Sequence, residues 1–220
     1  MKKTIYSKFD KHTIGDLPRI LFPGRIITIT TKGETEKAVN YLLDSDILGV
    51  DTETRPAFKK GQHFKVALLQ VSNRTTCFLF RLNLTGITPA IIRLLEDMTV
   101  PKIGLSWHDD LLMLHKRAEF TPGWFIDLQK TVGEIGIEDL SLQKLYANIF
   151  HMKISKAQRL SNWEADILKD QQKLYAATDA WTCINLFEEI NRLKETGDYN
   201  LEIVAEPEVI DEKVEELPAE

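Results

Sequence analysis

The amino-acid sequence predicts an α/β fold with a mixed central sheet, part parallel and part antiparallel. Three observations carry that expectation. Strand-like and helix-like runs alternate along most of the 220 residues, the order that builds a sheet with helices packed on its faces. Two strand-like runs, "FKVALLQVSN" and "TTCFLFRL", lie around the turn "NR", which makes them an antiparallel hairpin within an otherwise crossover-connected sheet. A long helical pattern over 169–195 then closes the chain at Gly197.

The elements follow in order. Residues 1–24 are polar, end in the turn "LFPG" and read as an extension packed loosely on the domain. "RIITITT" (25–31) alternates β-branched residues, the pattern of a strand. "ETEKAVNYLLDS" places apolar residues at helical spacing, and "ILGVDTET" (47–54) reads as a buried strand. "PAFKKGQH" is a loop carrying Lys59 and Lys60, and the hairpin follows it. "PAIIRLLEDM" begins with proline in the first turn of a helix, where its missing N–H does no harm. "PKIGLSW" predicts a short strand and "DDLLMLHKRA" a helix; "WFIDLQKTV" predicts a short strand or helix, and "LSLQKLYANIF" a helix. With no repeat, low-complexity stretch or internal linker, residues 25–197 read as one domain.

Charge is distributed unevenly. The last twenty residues hold eight acids and one lysine, so residues 1–200 carry +2 although the whole chain carries −5. Such a segment without aromatics predicts a mobile acidic tail over 198–220. Cys77 and Cys183 are too far apart in sequence for a disulfide framework or a zinc pattern. Both read as buried thiols in a reducing compartment, and the N-terminus lacks the apolar core of a signal peptide, so the expected location is cytoplasmic. No run is long enough to cross a bilayer, and no membrane partner is expected.

The chemistry gathers around acids. In "GVDTET", Asp51 and Glu53 alternate with Thr52 and so project from one face of their strand. Two carboxylates that close repel, and one takes up a proton unless a cation lies between them. Alone, such a pair is also compatible with ion-paired acids at a solvated strand end. Asp109 and Asp110 follow where a strand meets a helix, a common place for acids that cap. In "LYAATDAWTCINLF", Tyr175 and Asp179 share one helix face among apolar neighbours, and a buried acid there needs a partner. Taken together, a strand pair, a helix-start acid and a late helical acid with a tyrosine one turn before it form a constellation. Four carboxylates can hold two divalent ions about 4 Å apart, and oxygen-only ligands favour Mg²⁺ or Mn²⁺.

These residues resemble the DEDD 3′–5′ exonucleases, in the subgroup with a tyrosine in the third motif, as in the Werner-type exonuclease domain and ribonuclease D. "GVDTET" matches the first motif, "IGLSWHDDLLML" the second, and "YAATD" the third, preceded by the similar stretch "LSNWEADILKDQQKLYAATDAW". The resemblance covers about residues 25–193. It implies a ribonuclease H-like fold, two Mg²⁺ or Mn²⁺ ions held by Asp51, Glu53, Asp110 and Asp179, and a water oriented by Tyr175. It also implies stepwise release of nucleoside monophosphates from a 3′ end. Spacing from Gly104 within the second motif favours Asp110 over Asp109.

Around these acids, Thr52, Thr54, Arg55, Lys59, Lys60, Trp107, Lys156 and Arg159 are candidates for holding the nucleic-acid strand, the basic ones through phosphates. Phe58, Phe64 and Trp163 could stack on a base, though each also suits a core. Two other readings keep the fold: a binding module without turnover, and a phosphodiesterase acting on small nucleotides.

Overall fold

A computed structural model describes residues 2–205. Its elements are β1 (Lys3–Tyr6), β2 (Arg25–Ile29), α1 (Lys32–Leu43), β3 (Leu48–Thr54), β4 (Val66–Ser72), β5 (Thr76–Arg81), the one-turn α2 (Leu82–Thr85), α3 (Pro89–Glu96), β6 (Lys102–Gly104), α4 (Trp107–His115), β7 (Phe125–Asp127), the one-turn α5 (Leu128–Thr131), α6 (Leu142–Phe150), α7 (Asp170–Thr196) and β8 (Tyr199–Glu202). Six strands form one sheet in the order β2-β5-β4-β3-β6-β7. β3, β4 and β5 are antiparallel neighbours, while β2 joins β5 and β6 joins both β3 and β7 in parallel. The mixed α/β sheet expected from the sequence is therefore present.

Local chemistry explains the boundaries. Thr31 and Glu34 close a reciprocal capping box at the start of α1, satisfying donors that the first helical turn leaves free. Thr88 caps α3 ahead of Pro89. The hairpin turn is held by the Asn73 carboxamide oxygen, which accepts from the backbone N–H groups of Thr75 and Thr76 at 3.0 and 2.9 Å. Gly197, at φ 65°, ends α7 in the left-handed conformation that glycine adopts without steric cost.

Strand alternation then sorts the core into layers. Val50, Leu69, Val71, Phe78 and Phe80 pack with Val39 and Leu42 of α1 and Ile91 and Leu94 of α3. On the other face, α7 lies along the sheet: Tyr175, Ala176 and Ala177 meet Leu68 and Leu79, and Ile184, Leu186 and Ile190 join α6.

Two expectations at the chain ends are corrected. Of the extension expected over 1–24, the described part from residue 2 is not loosely attached, and 198–202 is not tail: β1 pairs in parallel with β8. Ile5 is fully buried in the α6–α7 cluster, and burying such a side chain stabilises by about 1.5–3 kcal/mol. The Asn148 carboxamide accepts from the Tyr6 N–H at 2.9 Å and donates to the Tyr6 carbonyl at 2.7 Å, fastening the strand to α6. The remainder of the expected acidic tail, from 206 onward, lies outside the described residues. Among the described residues no helix is long and apolar enough to cross a membrane.

Candidate active site

Strand β3 presents Gly49, Asp51 and Glu53 to α7 and sends Val50 into the opposite layer. Gly49 lets the helix come close. A Cβ on it would lie 2.0 Å from the Ala180 carbonyl oxygen of α7. That contact sets Asp179, the neighbour of Ala180, against the acids of β3. Substitution Gly49→Ala is therefore expected to push α7 away, destabilise by about 1–3 kcal/mol as overpacking does, and weaken dication binding. Thermal melting and Mn²⁺ titration would check this; wild-type values for both would mean that the helix has slack here.

Asp51, Glu53 and Asp179 each offer a carboxylate oxygen, and these oxygens lie within 4.8 Å of one another. Ionised pairs at that separation repel by about 3 kcal/mol at an effective dielectric of 20. The titration of the cluster reflects this. Burial first, then the Asp51 carboxylate, pushes Glu53 up to about 10. Burial raises Asp179 to about 7, with the facing Tyr175 hydroxyl pulling the other way. Asp51 is held well above the usual range by burial, and next by Asp179 and Asp110. Arg159 opposes the Glu53 shift and is its weakest cause. Asp179 Oδ1 is buried with no hydrogen-bond partner. A buried anionic oxygen left unpaired beside two more acids is costly, and a hard cation would relieve both the repulsion and the vacant lone pair. The donor set present thus fits a divalent ion bound through oxygen.

Asp110 approaches from the side. The β3–β6 pairing covers only Leu48 and Gly49, so the edge of β3 from Val50 onward is open on that side. Helix α4 reaches this edge through Asp110. It starts from Ser106, a left-handed residue at φ 61° and ψ 37°, whose N–H donates to Asp127 Oδ1 at 2.9 Å while the Trp107 N–H donates to Oδ2 at 3.0 Å. Asp110, half-buried, accepts a hydrogen bond from the Thr52 hydroxyl, and burial raises it to about 6. Asp109 beside it is exposed. Of the two adjacent acids, only Asp110 is turned toward β3, although it stands outside the tight trio.

Tyr175 sits one turn before Asp179, its ring 6.0 Å from that of Trp163. Burial and then the Asp179 and Glu53 carboxylates drive its phenol upward, so it serves as an intact O–H. Next to the acids is a cleft of about 360 Å³ lined by Asp51, Asp179, Ser106, Gln129, Ser141 and Gln143. A larger cavity of about 610 Å³ lies against the N-terminal segment, lined by residues such as Tyr6, Phe9 and His151, and holds none of these acids.

The candidate strand-holding residues separate into groups. Lys59, Lys60, Lys156 and Arg159 are exposed on two loops, 55–65 and 151–169, and Arg159 is near enough to Glu53 to act on its titration. Arg55 is already engaged, 3.5 Å from Glu164 and 4.8 Å over the Phe64 ring. Thr52 is spent on Asp110, and Thr54 is half-buried at the end of β3. Trp107 is a correction: only 3% exposed, it packs edge-on against Phe125 at 4.8 Å. It occupies the space above Gly104, where a Cβ would lie 2.4 Å from its indole nitrogen. Trp163 is likewise core, whereas Phe58 is 79% exposed. Phe58 and Leu160 line a small cavity of about 190 Å³ between the two loops.

Two further positioning residues escaped the sequence reading. Asp127 caps α4 and so aims Asp110; the only local signal is an acid ending a three-residue strand. Arg81 is buried and donates from Nη1 to the Asp166 carbonyl at 3.4 Å and from Nη2 to the Ala165 carbonyl, tethering the loop that carries Arg159.

Comparison with known proteins completes the picture. The sequence profile of the 3′–5′ exonuclease family matches residues 26–195. The bifunctional 3′–5′ exonuclease/ATP-dependent helicase WRN of Mus musculus is 28% identical over 192 residues, covering 83% of this chain. The chain spans only 14% of that relative's length. Among solved structures, the Aedes aegypti Nibbler EXO domain superposes with a TM-score of 0.71 at 17% identity, over 80% of this chain and 91% of that one. The Trypanosoma brucei RNase D complex with RNA U12 superposes at 0.66 with 18% identity, over 77% and 63% of the two chains. The architecture is accordingly ribonuclease H-like.

Proposed function

The chain belongs to the DEDD-type 3′–5′ exonucleases, and on that premise we propose that it hydrolyses the terminal phosphodiester bond at a nucleic-acid 3′ end. The reaction uses two divalent ions, Mg²⁺ or Mn²⁺, and releases nucleoside monophosphates one at a time. The observation that carries this reading is the trio Asp51, Glu53 and Asp179, gathered within 4.8 Å around an unpartnered oxygen. These three would hold one ion, and Asp51 with Asp110 the other. When bound, such ions supply Lewis acidity, ionising water near neutral pH and neutralising charge on the phosphate and the departing 3′ oxygen.

The side chains do the rest. Tyr175, kept protonated by its burial, offers one hydroxyl to orient the attacking water beside Asp179. Lys59, Lys60, Lys156 and Arg159 hold the strand through its phosphates without reading sequence. Phe58 and Leu160 give a base an apolar surface beside them. The RNA bound by the T. brucei RNase D supports nucleic acid as the substrate class here.

Digestion of 5′-labelled single strands of DNA and RNA, with and without chelator, tests the proposal. Products should shorten stepwise from the 3′ end, and chelator should stop them; internal cuts, or shortening that ignores chelator, would sink it. In the same assay, Tyr175→Phe should lower kcat by roughly 10²-fold while leaving Mn²⁺ affinity unchanged. An unaltered rate would remove the hydroxyl from the mechanism.

A further inference from the structure

Gln70 lies in the middle of β4, directly opposite Asp51 in the β3–β4 ladder. Its side chain is fully buried, and neither its amide nitrogen nor its amide oxygen has a hydrogen-bond partner. An unpaired buried amide costs about 1–3 kcal/mol. Leu68 precedes it on the same strand face and Leu79 pairs with it across β5; both pack in the cluster beneath α7, which also holds Tyr175 and Trp163, the latter with its indole nitrogen unpartnered. Leucine or methionine would suit that environment better. Asp179 Oδ1 is also unpartnered, and Gln70 and Asp179 share the layer between β3–β4 and α7; the other orphaned side-chain atoms among the described residues are the indole nitrogens of Trp107 and Trp163.

Opposed residues of an antiparallel pair carry their side chains on one face with Cβ atoms about 4.5–5.5 Å apart, within reach of a glutamine amide. We infer that Gln70 is a positioning residue for Asp51: its amide, unpaired in the structure, would donate from Nε2 to the Asp51 carboxylate once that carboxylate turns to hold a dication. Fixing that carboxylate's orientation sets the affinity of the acid trio for its first ion, much as partners behind metal ligands do in other sites. This explains why an amide is kept where a hydrocarbon would pack. The inference rests on the metal-dependent reading given under Proposed function.

Gln70→Met, close in volume and unbranched, is the variant to make. Mn²⁺ binding to the full chain, followed by calorimetry, should weaken by about tenfold or more, while the melting temperature without dication stays equal to wild type or rises. A purely structural amide would give the opposite: lower metal-free stability and unchanged Mn²⁺ affinity, and that result overturns the inference. Gln70→Leu serves as the second variant if the methionine chain fails to fold, read in the same way. Wild-type protein that binds no Mn²⁺ would instead defeat the metal-dependent reading itself, and this inference with it.

Discussion

An Asp51→Asn, Glu53→Gln double variant is expected to lose turnover by about 10⁴-fold or more while keeping its fold. The two changes remove charge without changing shape. Dications supply several kcal/mol of charge stabilisation in such reactions, and a loss of about 5.5 kcal/mol corresponds to 10⁴ in rate. Stability should move the other way. The wild-type trio packs three acids within 4.8 Å, so neutral amides at two of them remove the repulsion that would otherwise grow, without dication, as these carboxyls ionise with rising pH. The variant should melt at or above the wild-type temperature in chelator, and Mn²⁺ should no longer raise that temperature. Rates on a 5′-labelled strand and paired melts with and without Mn²⁺ measure both halves. A variant that digests as fast as wild type removes the acids from catalysis. One that loses activity by unfolding shows instead that the acids are structural.

The acids were legible in the sequence because strand alternation is a local rule: with Thr52 between them, Asp51 and Glu53 share a face whatever the rest of the chain does. Tyr175 and Asp179 obey the equivalent helical rule. Other features depend on registers that no local pattern encodes. Gln70 faces Asp51 only because β4 runs back in one particular register. Asp127 aims α4 only because β7 ends beside Ser106. The β1–β8 pair joins four-residue strands from opposite ends of the chain, and the charged residues around "YNLE" made the second strand read as tail. Trp107 was misplaced for a similar reason. Its place at a helix start beside acids put it among the strand-holding candidates, yet the missing side chain of Gly104 creates the space that buries it.

The acids of the site should also govern how stability depends on pH. Asp110, Asp179 and Glu53 are raised in the folded protein to about 6, 7 and 10, against ordinary values of 3.8, 3.8 and 4.5. A carboxyl that holds its proton more tightly when folded stabilises the fold fully below its unfolded pKa, and that contribution disappears as pH rises through the folded value. Metal-free protein is therefore expected to lose stability from pH 5 to 9; the contributions of Asp110 and Asp179 are exhausted near pH 6 and 7, while that of Glu53 goes on falling beyond them. Divalent cations should reverse the trend, because they replace the protons that the carboxylates must shed: binding tightens with pH, and saturation at 100 times Kd stabilises by about 2.7 kcal/mol. Melting curves from pH 5 to 9 in chelator and in Mg²⁺ should start close together at the acid end and separate steadily toward the alkaline end. Two flat, coincident curves would mean that the carboxylates ionise freely in solvent, and a site built to exchange protons for metal could not survive that result.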